Sequence, residues 1–194
     1  MKPNNIITDL FLFFARFPRH EGIYSMFNVG TSDIPGYNEL RQAVDEMPQR
    51  NLTKIKHYIF GANIDAVRSR VNNIPTGEDY LFVDFGEIDC ATDSMNRMTD
   101  SARLAITVAY RQKDFSNDLV EQTLAFSHAL RTLTGIRNMM IHEQCQHPWL
   151  KNLSKKHELL PFVFPEGSSV GWTMYFSREG YDTFGAKEKK MHFS

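Results

Sequence analysis

Several features that would assign a protein to a class at once are scarce or missing in this sequence of 194 residues. Its two cysteines, Cys90 and Cys145, are too few for a disulfide framework, which favours a reducing compartment. Its formal net charge of −1 provides no general attraction to nucleic acid or to an anionic membrane. We therefore expect a cytoplasmic protein, or one assembled into a particle, that does not bind nucleic acid directly.

The sequence also has no long hydrophobic run. Its N-terminal apolar stretch covers only the six residues from Leu10 to Ala15, between Asp9 and Arg16. Such a run is shorter than the core of a signal peptide, and a membrane helix needs about 20 apolar residues. We therefore predict neither secretion nor membrane insertion.

Common catalytic motifs are missing as well. The chain has no glycine-rich phosphate loop, no Gly-x-Ser-x-Gly elbow and no internal repeat. Ser127 and His128 are neighbours on a predicted helix, so their side chains point in different directions. We expect no cofactor and assign no catalytic residue.

The clearest structural signal lies in the middle of the chain. Residues 79–86 are rich in aromatic and β-branched side chains and predict a central strand buried on both faces. Residues 102–110 alternate between bulky side chains and small or charged ones, which predicts a second strand. The polar segment from Glu87 to Asp100 is long for a hairpin connection. We expect a mobile or partner-ordered loop there, although an extended hairpin is compatible with its length.

A long helix is predicted after the second strand. Asp118, followed three residues later by Glu121, resembles a capping box. The apolar residues that recur every seven positions are Leu119, Phe126, Leu133 and Met140. They predict a stripe that lies on the sheet, and Gly135 either ends the helix early or permits close packing.

The remaining segments complete the predicted fold. Helices are expected at residues 5–17, 37–47 and 64–74, with strands at residues 23–27, 159–164 and 170–176. Pro161 places its strand at a sheet edge or at a bulge, because proline has no N–H to donate. The fold class is α+β: a single mixed or mainly antiparallel sheet of four to six strands, with one long helix packed on a face and short N-terminal helices.

We expect one domain over residues 1–194. Its parts are a mainly helical segment (1–75), the sheet with the long helix (79–178) and a mobile tail (180–194). The first helix carries Phe11, Phe14 and Phe17 and is apolar over more than half of its circumference. Such a helix is either buried in the chain's own core or part of a subunit interface.

One candidate metal site is the segment with His142, Cys145 and His147, because imidazole and thiolate are good zinc ligands. The two histidines are five residues apart, whereas the two histidines of a zinc-protease helix are four apart and so share a face. His142 and Cys145 are three apart and can share a face. The alternative is an exposed helix end with histidines near its last carbonyls.

A second candidate is acidic and lies at the end of the central strand. Asp84 and Glu87, with Asp89 and Asp93 nearby, have the chemistry of a divalent-cation site in nucleases and phosphatases. The sequence shows no lysine at nuclease-like spacing, so ordinary loop carboxylates are the favoured interpretation. A charged Asp84 on a buried face would need a partner such as Arg103 or Arg111.

From Asp79 onward, the order strand, long loop, strand, long helix and closing strands through Trp172 resembles small α+β proteins of the phage tail-terminator and tail-completion type. The resemblance implies a homo-oligomeric ring that docks on a tail tube, with projecting loops and no catalysis. We therefore expect a non-enzymatic assembly protein of a phage or prophage-like tail, with other protein subunits as partners. The expected contact residues are Phe11, Phe14, Phe17, Met95, Arg97 and Met98, together with the C-terminal tail.

Two other functions remain open from the sequence. The first is a metal-dependent hydrolase or nuclease that uses the acidic or histidine residues. The second is an intracellular domain that binds a small molecule or peptide through its Phe and Trp side chains.

Overall fold

The computed structural model describes residues 6–27, 32–48, 54–92, 94–95, 98–115 and 117–181. The α-helices are α1 (Ile6–Ala15), α2 (His20–Tyr24), α3 (Tyr37–Asp45), α4 (Ile64–Asn72) and α5 (Leu119–His142). The strands are β1 (His57–Gly61), β2 (Asp79–Thr92), β3 (Met98–Arg111), β4 (Glu158–Phe164) and β5 (Ser169–Tyr181). Short 3₁₀ turns lie at Pro148–Leu150 and Pro165–Gly167.

The five strands form one mixed sheet in the order β1-β2-β3-β5-β4. β1 is parallel to β2, and the other neighbouring strands are antiparallel. The parallel pair needs a crossover connection, which α4 supplies. The predicted α+β class with one mixed sheet, one long helix and short N-terminal helices is therefore confirmed.

The larger core lies on the sheet face covered by α1 and α5. Alternate residues of the strands supply its floor, among them Leu81, Ile106 and Met174. α5 packs on β3 and β5 and buries Ala125, Ala129, Leu133, Ile136 and Met140. These five side chains are almost completely buried, so the hydrophobic effect holds the long helix on the sheet.

The opposite face has a smaller core. α4 packs Val67 and Val71 against Ile59, Tyr80 and Phe82. The central part of β2 is therefore buried on both faces, as its continuous apolar sequence predicts. α4 packs at the β1 end of this face, and exposed side chains lie farther across it, on β4 and β5.

Several local predictions are confirmed by the capping and pairing of the described residues. The Asp118 carboxylate accepts a hydrogen bond from the Glu121 amide at 2.7 Å, and Asn63 caps α4 through the Ala66 amide at 2.8 Å. β4 with Pro161 is an edge strand. α5 continues past Gly135 to His142.

Two local predictions are wrong. Residues 20–24 form α2, whereas a strand was predicted at residues 23–27. Leu119 does not belong to the buried stripe of α5, because it is 69% exposed. The helix buries small residues at positions 125 and 129 near its start, and these shift the stripe away from the heptad series that the larger side chains suggest.

The first helix takes the buried role. Phe11, Phe14 and Phe17 all lie in the larger core, and Phe14 and Phe17 are completely buried. Phe13 and Trp149 pack edge to face beside them, with ring centroids 5.0 Å apart. The three phenylalanines therefore contact the chain's own core, and their role as interface residues stays a prediction.

None of the helices in the described part of the chain is both long and apolar enough to cross a membrane.

Candidate functional site

The segment between the two central strands is an extended hairpin, not a loop. β2 continues to Thr92 and pairs with β3 from Met98 onward, so most of the predicted loop Glu87 to Asp100 is strand. β5 pairs with β3 as far as Tyr181. The result is a three-stranded extension of the sheet, which we call the arm (87–92, 98–103 and 177–181). The tail predicted to start at Gly180 begins in this arm, and its residues 182–194 lie outside the described residues.

The arm starts at a β-bulge in β2. The pairing of β2 with β3 shifts register between Asp84 and Glu87, and Gly86 lies there with φ 57°. A Cβ atom on Gly86 would collide with the Arg103 carbonyl oxygen. The Gly86 amide donates to the Asp84 carboxylate at 2.8 Å. The bulge therefore requires glycine and orients the carboxylate beside it.

A buried ion pair joins two strands of the arm, β3 and β5, to each other. Asp100 and Arg178 are 3% and 6% exposed, and the Arg178 guanidinium donates to the Asp100 carboxylate at 3.2 Å. Leu153 forms an isolated bridge with Arg178. In contrast, Glu87 and Asp89 are exposed on the arm. The Leu153 bridge thus ties the arm to the segment before β4, and the arm has an exposed polar surface.

The sheet face that carries α4 has a cleft of about 500 Å³ near the start of the arm. Strand register places Asp84, Ala105, Tyr175 and Glu158 in one row across β2, β3, β5 and β4. Side chains in such a row point to the same face of the sheet. Arg103 lies one row farther along β3, opposite Glu87. The small side chain of Ala105 leaves space between the charged residues.

The cleft is lined by five charged side chains: Asp84, Glu87, Arg103, Lys156 and Glu158. None of the five forms an ion pair with another described residue. Burial raises the pKa of the Asp84 carboxyl above its ordinary value, and the hydrogen bond from the Gly86 amide opposes that rise. The arginine partner expected for Asp84 from the sequence is therefore not in place, although Arg103 lines the same cleft.

The histidine segment does not assemble into a metal site in the described residues. His142 is the last residue of α5 and is exposed, as is Cys145. His147 lies instead 3.2 Å from the Glu143 carboxylate, which also binds Arg16 at 2.8 Å. Within the described ranges, no group of three or more His, Cys, Asp or Glu side chains is arranged to hold a metal ion. This applies to the acidic candidates Asp84 and Glu87 as well as to the histidine segment.

The predicted contact residues of the hairpin tip have different outcomes. Met95 is 72% exposed, in keeping with a contact position. Met98 is the first residue of β3. Arg97 lies outside the described residues.

The sequence analysis identified Asp84, Glu87 and Arg103 but did not predict the residues that line the other side of the cleft. Lys156, Glu158 and Tyr175 come from a turn and two late strands, and only the pairing of β5 with both β3 and β4 brings them to Asp84. Side chains alternate between the two faces along β5, so the sequence of this strand is enough to place Tyr175 on the face opposite Trp172 and Met174. No sequence signal indicated which residues lie across from it.

Exposed apolar side chains form a further feature. Leu119, Val120 and Leu124 at the start of α5 are 69%, 70% and 65% exposed. Val120 and Leu124 are four residues apart and share one face of the helix. Leu160 and Val163 are exposed on the edge strand β4.

Comparison with known proteins assigns no family. No protein-family model matches the chain, and no curated protein matches it significantly.

Proposed function

We propose that the protein is a non-enzymatic structural protein that assembles through homo-oligomerisation and docking to other subunits, as in a phage or prophage-like tail. The observation that carries this proposal is the arm. It extends the sheet by pairing along β2, β3 and β5, it is tied to Leu153 outside it, and it presents an exposed polar surface. A rigid, exposed strand extension suits protein docking because its backbone is already ordered before the partner binds.

The exposed apolar residues support self-association. One group lies on α5 (Leu119, Val120, Leu124), and Leu160 and Val163 are exposed on opposite faces of the edge strand β4. The outer edge of β4 has no neighbouring strand in the described sheet. Two different surfaces on one chain suit a head-to-tail contact, in which the α5 group of one copy covers β4 of the next. Repetition of such a contact closes a ring when the rotation permits.

Light scattering across a concentration series tests this proposal, with metal analysis of the same peak. We expect a discrete oligomer of identical subunits. The double substitution Val120→Asp and Leu124→Asp should reduce its mass, because charges would replace apolar side chains at the contact. Both positions are exposed, so the variant should fold.

The control is Asn138→Asp, a single charge at an exposed position of α5 that lies roughly 20 Å along the helix from Leu124. It should leave the mass unchanged. A wild-type chain that remains monomeric at all concentrations and carries a stoichiometric divalent metal would overturn the proposal. That outcome would favour the metal-dependent hydrolase.

A further inference from the structure

The cleft beside the arm contains charges that the fold does not neutralise. Three carboxylates (Asp84, Glu87, Glu158) and two cations (Arg103, Lys156) line it without an ion pair among the described residues. A half-buried carboxylate such as Asp84 is unfavourable without a cation beside it. The same arrangement is favourable once a ligand supplies the opposite charges.

The sheet register determines the distance between the two kinds of charge. Asp84 lies opposite Ala105, and Arg103 is two residues from Ala105 on the same face of β3. Such diagonal positions have Cα atoms about 7–8 Å apart. The Asp84 carboxylate and the Arg103 guanidinium therefore belong to residues about 7–8 Å apart at one end of the cleft, within reach of a single small ligand.

The other end of the cleft is lined by Glu158 and Tyr175. Glu158 lies in the same row as Asp84 but three strands away, which is about 14 Å at the usual strand spacing. Tyr175 is 46% exposed between them and offers an aromatic face and a hydroxyl group. A volume of about 500 Å³ is in the range of sites for small molecules.

We propose that this cleft binds a basic amino acid, either free or as the C-terminal residue of a peptide. The ligand's side-chain ammonium or guanidinium group pairs with Asp84, and its carboxylate pairs with Arg103. The aliphatic part of the ligand lies over Ala105, which is opposite Asp84 and two residues from Arg103. The five lining charges sum to −1, which complements the charge of +1 on free lysine or arginine.

This binding goes beyond the proposed assembly function and does not depend on it. The tests are also separate, because ligand affinity is measured by calorimetry and subunit association by mass. An oligomer that binds no ligand, or a monomer that binds one, would refute one proposal and leave the other in place.

Isothermal titration calorimetry of the full chain tests the proposal with L-lysine and L-arginine as probes. Norleucine has the carbon chain of lysine without the side-chain ammonium, and cadaverine has two ammonium groups without a carboxylate. We expect binding of lysine or arginine at micromolar to millimolar concentration, and at least tenfold weaker binding of norleucine and cadaverine. The tripeptide acetyl-Gly-Gly-Lys distinguishes a peptide C-terminus from a free amino acid as the source.

The variants Asp84→Asn and Arg103→Gln should each weaken binding of the tighter probe at least tenfold. Glu39→Gln on α3 removes an exposed carboxylate outside the cleft and should bind like the wild type. Thermal melting of each variant shows that it is folded. The proposal is wrong if none of the basic probes, the tripeptide included, binds at millimolar concentration, if norleucine or cadaverine binds as tightly as lysine, or if Asp84→Asn binds normally.

Discussion

At the scale of single residues, Asp84 carries a carboxylate whose charge is disfavoured by burial. Its carboxylate is partly buried and accepts a hydrogen bond from the Gly86 amide, but no described cation pairs with it. Burial therefore raises the pKa of the carboxyl group in the folded chain. A raised pKa means that folding favours the protonated form, so ionisation of Asp84 at neutral pH destabilises the fold.

Asp84→Asn should consequently raise the free energy of unfolding at pH 7. Asparagine is neutral at every pH and still accepts the hydrogen bond from Gly86. The gain should shrink as the pH falls through the raised pKa of the folded state and should disappear below the ordinary value of 3.8, where wild-type Asp84 is protonated in both states. Urea denaturation at a series of pH values measures this difference.

The control is Asp89→Asn on the exposed surface of the arm, which should change stability little at any pH. A gain for Asp84→Asn that is constant with pH would show that ionisation is not its cause. Reduced stability at pH 7 would mean that a cation neutralises Asp84 in solution.

At the scale of secondary structure elements, the bulge in β2 separates the body of the sheet from the arm. Its conformation needs a positive φ at Gly86, and the Arg103 carbonyl oxygen occupies the space that a side chain would take. The same bulge places Asp84 beside the cleft. The geometry of the arm and the geometry of the cleft thus depend on one glycine.

Gly86→Ala should destabilise the protein by about 3–4 kcal/mol, because it adds a steric collision to the strain of a left-handed residue. Gly36→Ala is the matched control. Gly36 also has a positive φ, of 89°, but nothing lies within 4 Å of an added Cβ. The control should cost only about 1–2 kcal/mol. Equal losses in chemical denaturation would show that the collision is relieved by a shift of β3.

At the scale of the whole molecule, the N-terminal helices belong to the main core. α1 supplies Ile6, Leu10, Phe11, Phe13 and Phe14 to the cluster that also contains residues of α5 and the sheet. A buried ion pair between Arg16 and Glu143 joins the end of α1 to the end of α5. The helical first part and the sheet therefore share one hydrophobic core.

Phe14→Ala should reduce the free energy of unfolding by about 3–5 kcal/mol, because it removes a completely buried aromatic ring. Ile34→Ala, at a position that is 71% exposed, should change it by less than about 0.5 kcal/mol. Denaturation and light scattering on the same samples separate the two roles considered for the first helix. A change of oligomer mass without a loss of stability would support the prediction that Phe14 is an interface residue.

Local sequence signals alone determined most of the secondary structure. Asp118 and Asn63 act over three residues, and the alternation of residues 102–110 acts within one strand, so each can be interpreted without knowledge of the fold. Pro161 predicted an edge strand because a missing N–H has the same consequence in any sheet. Apolar patterning also indicated an α+β chain with one long helix.

Only the tertiary structure decided what the local patterns left open. The apolar first helix suits a core as well as an interface, and its burial depends on α5 and the sheet. The segment from Glu87 to Asp100 is polar, and its residues 87–92 and 98–100 are strand because β2 pairs with β3 and β3 pairs with β5. The cleft joins Asp84 to Glu158, which are far apart in sequence, through a strand order that no local signal contains. Long-range strand pairing determined this site, whereas short-range hydrogen bonding and side-chain periodicity had determined its strands.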